Sequence, residues 1–293
     1  METVQAKQLL TPLTPTDDFF YSNYNLNLYR GCSHGCIYCD SRSECYRLDR
    51  FDDVRVKENA LSLLREELQH KKKPGMVSTG AMSDPYNPYE KELEVTRGAL
   101  RLLRQYGFGV GFTTKSALAA RDGDLLLQIQ NAAPVRACFS ITAADDTLSH
   151  KIEPNVSPPS QRFGALSSLA QKGIFAGVWL NPMLPFITDT EDNIRSLVRM
   201  TKENGGQFIV CHFGMTLRTG NREYFYQALD RDFPGLKDEY AKAYGLKYVV
   251  TSPRAEALYA LFKEECVHHG LYYRFSDINR VLLEKQPQQM CML

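Results

Sequence analysis

The chain has 293 residues, about twice the usual length of one domain, although one α/β barrel often uses roughly 200 to 250 residues. Lysine and arginine total 35 and aspartate and glutamate total 34, so the formal net charge is +1. This balance excludes a general electrostatic attraction to nucleic acids or membrane surfaces, and leaves room for a local basic patch. With 43% hydrophobic and 24% charged residues, the composition excludes a disordered chain, a collagen-like repeat and a coiled coil.

The sequence predicts neither a membrane span nor a secretory signal. The longest uncharged stretch, residues 173–188, is too short to cross a bilayer and contains two prolines and an asparagine. The first ten residues lack a basic start followed by an apolar run. We therefore expect a cytoplasmic protein, in which clustered cysteines indicate metal binding or catalysis more often than disulfides.

The first part of the chain predicts a lead-in, a cysteine-rich loop and a helix. Residues 1–23 have little periodicity and are predicted to be irregular. The cysteine-rich loop follows within residues 27–40. Apolar residues then recur at helical spacing over 55–70, and the lysines of 71–73 followed by Pro74 mark the end of that helix.

Strands and helices alternate in the rest of the first 214 residues. Strands are predicted at 76–79, 108–113, 135–141, 174–180 and 207–212, and helices at 92–106, 121–131, 160–172 and 191–204. This alternation predicts a parallel sheet with right-handed crossovers, open or closed into a barrel. We expect three segments: an irregular lead-in (1–23), a barrel (24–215) and a mainly helical extension (216–293).

Four of the eight cysteines lie within fourteen residues, at Cys32, Cys36, Cys39 and Cys45. The first three have the spacing C-x3-C-x2-C, in a loop made flexible by two glycines. Three thiolates on one short loop can bind three irons of a cubane cluster and leave the fourth iron open. The alternative, structural zinc, prefers four ligands in two separated pairs, and adding His34 or Cys45 gives no standard zinc pattern.

The segment from Tyr29 to Cys39, with Tyr38 just before the third cysteine, resembles the signature of the radical S-adenosylmethionine (SAM) superfamily. In that family three cysteines hold a [4Fe-4S] cluster, and SAM chelates the open iron. One electron from the cluster cleaves SAM to methionine and a 5′-deoxyadenosyl radical, which abstracts a hydrogen atom from the substrate. The resemblance implies that Cys32, Cys36 and Cys39 bind the cluster and that Tyr38 contacts the adenine.

The resemblance extends to residues 83–97 and 140–163, which are similar to the spore photoproduct lyase-like branch of this superfamily. It covers roughly residues 24 to 225 and is closer to the uncharacterised members of the branch. The implied fold is α/β, a partial (β/α)6 TIM-like barrel with a helical C-terminal extension. The implied partner is an electron donor of the flavodoxin or ferredoxin type.

In such a barrel the active site lies at the carboxyl ends of the strands. Thr79 and Gly80 occupy the position of the glycine-rich segment that binds the amino group of SAM in the family. The family often has Gly-Gly-Glu there, whereas this chain has Gly-Ala-Met at 80–82, and Asp84 is the substitute acceptor for the ammonium group. The alternative is that Asp84 simply forms a turn with Pro85.

Four further residues are expected to contact SAM because of the resemblance. Ser140 ends a strand where the family has a polar contact, and Asn181 follows the next strand in a loop that contacts ribose or adenine. A guanidinium such as Arg162 suits the SAM carboxylate, and Glu153 suits the ribose hydroxyls. The structural alternatives are a surface salt bridge for Arg162 and an Asn-Pro turn for Asn181.

Two residues are catalytic candidates, again through the resemblance. Spore photoproduct lyases use a cysteine thiol, with tyrosines nearby, to return a hydrogen atom to the product radical. Cys138 shares a strand face with Ser140, and Tyr86 lies close behind the predicted SAM loop. The alternative for Cys138 is a small buried hydrophobic residue. Cys45 is a candidate for a further cluster ligand.

The substrate is left open. In residues 212–226, Arg218 and Arg222 alternate with aromatic residues. This pattern is typical of a surface that contacts nucleic acid, and equally of a helix that packs through its aromatic side chains and leaves its arginines in solvent. We therefore expect a radical SAM enzyme with an unknown substrate, and a DNA photolesion is one candidate. The alternatives are modification of a peptide or small molecule, and a non-enzymatic iron–sulfur electron-transfer protein.

Overall fold

The computed structural model describes residues 2–284. The strands are β1 (Thr3–Val4), β2 (Thr11–Pro12), β3 (Tyr24–Leu26), β4 (Tyr29–Arg30), β5 (Arg55–Lys57), β6 (Met76–Thr79), β7 (Gly109–Thr114), β8 (Val135–Ser140), β9 (Phe175–Leu180), β10 (Phe208–Cys211), β11 (Gly214–Thr216) and β12 (Val249–Thr251). The helices are α1 (Ala60–Gln69), α2 (Glu90–Leu93), α3 (Val95–Gln105), α4 (Gly123–Gln130), α5 (Asp146–Ile152), α6 (Pro159–Gln171), α7 (Glu191–Glu203), α8 (Asn221–Asp232), α9 (Leu236–Tyr244), α10 (Ala255–His269) and α11 (Phe275–Glu284). Within this range, no helix combines the length and apolar character needed to span a bilayer.

The main sheet has seven strands in the order β10-β9-β8-β7-β6-β3-β2. The six strands from β3 to β10 in this order run parallel, and β2 pairs with β3 in the antiparallel direction. Its two ends do not pair with each other among the described residues, so the sheet is an open, partial barrel. The predicted partial (β/α)6 fold is therefore confirmed.

The central strands of the sheet, β7 to β10, are largely buried, which fits a parallel sheet covered on both faces. All six residues of β8 are buried. Ala137 and Phe139 pack with the helices in the largest apolar group, whereas Cys138 packs with Phe175 and Phe208 in a separate group inside the barrel. The alternation along β8 therefore places Cys138 and Ser140 on the inner face, as predicted.

The lead-in and the last described helix close the amino ends of the strands. Phe20 and the apolar face of α11 pack inside the barrel against Phe175 and Phe208, which are the first residues of β9 and β10. The Asn279 side chain accepts a hydrogen bond from Tyr21 N at 2.8 Å and donates one to Phe19 O at 2.8 Å. The C-terminal extension is thus part of the barrel wall at this end.

Several elements differ from the predictions for physical reasons. The first helix begins at Ala60 and not at Arg55, because 55–57 pair with β1 and β4 as β5. The helix predicted over 92–106 is divided into α2 and α3 at Glu94, which has a left-handed φ of 49°. The short helix α5 and the pairing of β11 with β12 were not predicted, and the lead-in contains the two-residue strands β1 and β2.

Asn279→Ala is expected to lower the free energy of unfolding by about 1 to 2 kcal/mol, because it removes two part-buried hydrogen bonds, one to Tyr21 N and one to Phe19 O. Urea unfolding followed by circular dichroism measures this loss. The matched control is Arg280→Ala on the exposed side of α11, where we expect a change within about 0.5 kcal/mol. Equal midpoints for the two variants would show that Asn279 does not tie the lead-in to the barrel.

Candidate functional site

The cysteine loop leaves the sheet after β4 and is fixed at its start by Gly31. This residue has a φ of +81°, and a Cβ there would lie 2.6 Å from Phe51 O. Cys32 N donates to Phe51 O at 2.8 Å, and Ser83 Oγ donates to Gly31 O at 2.6 Å. Only glycine fits this close approach, so the backbone sets the position of the first cysteine.

The centre of the loop is held by the segment that ends α5. Ile37 N donates to Ile152 O at 3.0 Å, and Asn155 N donates to His34 O at 3.1 Å. The Asn155 side chain also donates to Ser33 O at 3.0 Å. These contacts hold the backbone of the loop from Ser33 to Ile37 against the end of α5.

The three predicted ligands lie together on this loop. Cys36 is buried, and Cys32 and Cys39 are half-buried. Burial raises the pKa of all three thiols, that of Cys32 to about 12, and the neighbouring Asp84 and Cys39 add to the effect on Cys32. Thiolates at these positions therefore need a nearby cation, which a metal supplies when it binds.

The donor chemistry of the loop fits an iron–sulfur cluster. Among residues 2–284, no group of three or more His, Cys, Asp or Glu side chains is arranged to hold a single metal ion. In a cubane cluster each thiolate binds a different iron. The donor set, three soft thiolates on one loop, suits an iron–sulfur cluster.

Lys115, which the sequence analysis missed, lies at the centre of the neighbouring strand ends. It directly follows β7, and its Nζ lies 2.9 Å from Ser140 Oγ and 5.7 Å from the centre of the Tyr38 ring. Burial alone would lower the pKa of Lys115, but the charges of Cys36 and Glu153 raise it, so the side chain is a cation. The strand predicted over 108–113 is followed by Thr114 and Lys115, so reading the second residue after that strand would have found it.

Arg162 is bound entirely to protein acceptors. Nε donates to Ser157 O at 2.6 Å, Nη1 donates to Ser140 O, and Nη2 pairs with Glu153 Oε2 at 2.5 Å. Both partners of the ion pair are buried, and the Tyr38 hydroxyl donates to the other carboxylate oxygen of Glu153. The structure therefore places Arg162 and Glu153 as supports of Tyr38 and of the end of β8.

Glu153 is ionised in this setting. Burial raises the pKa of a carboxyl, but the charges of Arg162 and Lys115 and the Tyr38 hydroxyl together lower the Glu153 pKa below its ordinary value of 4.5. A buried carboxylate is tolerated only because it is paired and hydrogen-bonded.

Asp84 ties the cysteine loop to the end of β7. Its Oδ1 accepts from Thr114 Oγ1 at 2.6 Å and from Tyr86 N at 2.8 Å, and its Oδ2 accepts from Lys115 N at 2.7 Å. His34 Nδ1 lies 3.5 Å from Oδ2. Asp84 thus forms the turn that the sequence allowed, and its carboxylate also faces the loop of the cysteines.

The predicted glycine-rich segment ends β6 beside these residues. Gly80 has a φ of +103°, and a Cβ there would lie 2.1 Å from Thr113 O. Thr79 is half-buried at the end of β6. Asn181 is half-buried after β9, and its carbonyl accepts from Ser140 Oγ at 3.3 Å. The structure therefore brings together the strand ends that carry Gly80, Lys115, Ser140 and Asn181.

The two catalytic candidates do not lie together. Cys138 is inside the barrel, and burial raises its pKa to about 12. Tyr86 packs edge-to-face on Phe112, 5.4 Å between ring centres, in the apolar group on the helix side of the sheet. Cys45 is exposed, and its Sγ lies 3.0 Å from Arg218 Nη1.

Glu153→Gln is expected to lower the free energy of unfolding by about 3 kcal/mol near pH 7, because Arg162 loses its buried counter-charge. The difference in the free energy of unfolding between the variant and the unchanged protein should become smaller as the pH falls below 4.5. In that range the unfolded chain takes up a proton at Glu153 before the folded chain does. Denaturant unfolding between pH 7 and pH 3.5 measures this. The exposed Glu203→Gln is the control, for which we expect a small, constant difference; a constant difference for Glu153→Gln would contradict the argument.

Comparison with known proteins supports this picture. The family model "Radical SAM superfamily" matches residues 26–231. An uncharacterised protein from Mycobacterium tuberculosis is 30% identical over 228 residues, which cover 75% of this chain and 67% of that protein. An uncharacterised protein from Methanocaldococcus jannaschii is 30% identical over 191 residues, 64% of this chain and 69% of that protein.

A solved structure of spore photoproduct lyase complexed with dinucleoside spore photoproduct shares the fold. It has a TM-score of 0.61 and 17% identity, and the match covers 86% of this chain and 76% of that chain. The family match spans more than half of the chain, including the cysteine loop and the five parallel strands from β6 to β10. The family's cofactors, a [4Fe-4S] cluster and SAM, are those that the sequence predicted. The chain belongs to the radical SAM superfamily.

Proposed function

We propose that this chain is a radical SAM enzyme in which Cys32, Cys36 and Cys39 hold the cluster. Lys115 and Ser140 hold the carboxylate of SAM in this proposal. The observation that carries it is the position of the Lys115–Ser140 pair beside Tyr38, the residue before the third cysteine. The family's bidentate partner for a carboxylate is an arginine, but every nitrogen of Arg162 is already bonded within the protein. Lys115 is the cation left to take that role.

When bound, the reduced cluster supplies the electron that splits SAM into methionine and a 5′-deoxyadenosyl radical. The side chains of the chain bind and orient SAM. Lys115 neutralises its carboxylate with a charge-assisted hydrogen bond. Tyr38 is fixed by Glu153, so its backbone is held against the adenine. The backbone of Thr79 and Gly80, together with Asp84, faces the amino group, and Asn181 faces the ribose.

Cys138 remains our candidate for the hydrogen donor. It lies on the same face of β8 as Ser140 and two residues earlier, which places it about 7 Å deeper in the barrel. Its raised pKa keeps the thiol protonated at neutral pH, as a hydrogen-atom donor must be. Tyr86 lies on the opposite face of the sheet, so in this proposal it does not relay hydrogen to Cys138.

The proposed substrate is a nucleic acid lesion, and the proposed electron donor is a flavodoxin or ferredoxin. The support for this substrate is the shared fold with a lyase solved in complex with a dinucleoside photoproduct. A peptide or small molecule is the alternative. A screen of both classes for SAM-dependent product under reducing, anaerobic conditions separates them.

Cys36→Ala is expected to abolish binding of a complete cluster and formation of 5′-deoxyadenosine, because two thiolates cannot hold three irons of the cubane. Anaerobic reconstitution with iron and sulfide, followed by dithionite and SAM, measures both. The control is Cys45→Ala, whose exposed thiol lies outside the ligand group, and which should retain both. A complete cluster with no SAM cleavage in the unchanged protein would favour an electron-transfer function, and bound zinc would contradict both.

Lys115→Met is expected to weaken SAM binding by about tenfold to a hundredfold, because it removes a charge-assisted hydrogen bond of about 1.5 to 3 kcal/mol. The measurement is the change that SAM produces in the electron paramagnetic resonance spectrum of the reduced cluster. The control is Lys91→Met on α2, an exposed position where no change is expected. If Lys115→Met contains a full cluster and binds SAM as the control does, another group binds the carboxylate.

A further inference from the structure

A cavity of about 580 Å³ opens where the chain bridges the open side of the barrel. The segment after the cysteine loop meets the segment after β10: Glu44 N donates to Thr219 O at 3.1 Å, and Thr216 Oγ1 donates to Asp40 Oδ1 at 2.6 Å. The walls include Glu44, Arg218, Arg222 and the loop before β12. None of the proposed cluster or SAM residues lines this cavity.

Arg218 is held in a fixed orientation in the cavity wall. Its guanidinium carbon lies 5.4 Å from the Tyr46 ring centre and 4.5 Å from the Tyr248 ring centre. Its Nε lies 3.4 Å from Asp40 Oδ1, and its Nη1 donates to the Tyr46 hydroxyl at 3.4 Å and to Cys45. Nη2 has no hydrogen-bond partner in the part of the chain that the structure describes.

Arg222 is anchored by backbone carbonyls on the same wall. Its Nη2 donates to Leu217 O at 2.6 Å and to Lys247 O at 2.8 Å. Its Nη1 is without a hydrogen-bond partner among residues 2–284. Two guanidinium groups, each immobilised by protein contacts, therefore keep one terminal nitrogen available to a ligand. Because they are already ordered, binding costs little side-chain entropy.

The lining favours an anion that carries a flat group. The lining contains two arginines and one carboxylate, that of Glu44, while Asp40 pairs with Nε of Arg218 and leaves its Nη2 without a partner among residues 2–284. Guanidinium groups match the oxygens of phosphate. Tyr248 is 48% exposed and Leu246 is 87% exposed at the rim, where they offer an aromatic and an apolar contact to a base. A concave site of this volume suits a small ligand or a chain segment, whereas a folded partner needs a wider surface.

We propose that this cavity binds the phosphate of a nucleotide, either a free nucleotide or one unit of a single-stranded nucleic acid. The base lies against Tyr248. This inference does not depend on radical chemistry. It is a binding property that can be measured without SAM.

The test is fluorescence anisotropy with a labelled short oligothymidylate and the full chain carrying its reconstituted cluster. Arg218→Gln and Arg222→Gln are each expected to weaken binding about tenfold. Each should also reduce the slope of log K against log salt by about 0.7, the value for one phosphate contact on a single strand. The control is Arg231→Gln on α8, the helix that carries Arg222. The exposed Arg231 side chain pairs with Asp232, and this variant should bind like the unchanged protein.

Thymidine monophosphate distinguishes the two sources of the phosphate. If the nucleotide fully displaces the labelled oligothymidylate, a free nucleotide is supported as the ligand. If it does not, and the arginine variants still weaken binding, a nucleic acid strand is supported. Arg218→Lys keeps the charge and loses the planar guanidinium. An oligonucleotide affinity of this variant between those of the unchanged protein and of Arg218→Gln would confirm the contact in a folded variant. The inference would be overturned if both Gln variants bound the oligonucleotide as tightly as the control variant does. It would also be overturned if the unchanged protein did not bind at low salt.

The outcome is separable from that of the proposed function. A protein that binds the oligonucleotide through Arg218 but does not cleave SAM would overturn the radical reaction and support this cavity. A protein that forms 5′-deoxyadenosine but binds neither probe would support the radical reaction and overturn the proposed role of this cavity.

Discussion

The buried ion pair between Arg162 and Glu153 is the interaction on which the site depends. It joins three parts of the chain that are distant in sequence: the cysteine loop through Tyr38, the end of β8 through the Ser140 carbonyl, and the start of α6. Two opposite charges that are both buried stabilise a structure only when their remaining hydrogen-bonding groups are also satisfied. That condition holds here, so the pair fixes the loop geometry and leaves the adjacent Lys115 as the cation at the mouth of the site.

The open sheet explains why the rest of the chain lies where it does. A closed barrel would bury both edges, whereas this sheet leaves a gap between its two outermost parallel strands. The gap is filled at one end by Phe20 and α11 and bridged at the other by contacts between residues 40–46 and 216–219. The C-terminal extension is therefore a structural part of the barrel, and it also forms one wall of the arginine-lined cavity.

Sequence patterns predicted the fold well, because the order of strands and helices depends on local periodicity. The cluster ligands Cys32, Cys36 and Cys39 stay a prediction, which rests on their spacing and on the resemblance. Sequence patterns failed where distant contacts decide the outcome. The sequence places Arg162 as a cation near a helix start, and only the folded chain shows that each of its three nitrogens is hydrogen-bonded within the protein. Tyr86 follows a motif residue, yet the turn at Asp84 directs it to the helix side of the sheet. Lys115 lies outside the motifs that carry the resemblance, and its role depends on a contact with Ser140, which is 25 residues away in the sequence.

The hydrogen bond between Tyr21 and Asn279 joins residues 258 positions apart. Loops of that length close slowly, and their closure comes after the local helices and strands have formed. During synthesis on the ribosome, every residue of the cysteine loop and of the strand ends emerges before α11 does. The apolar interior of the barrel therefore stays uncovered at its amino end until the last described helix is made. In that interval the uncovered apolar surface makes the nascent chain prone to aggregation.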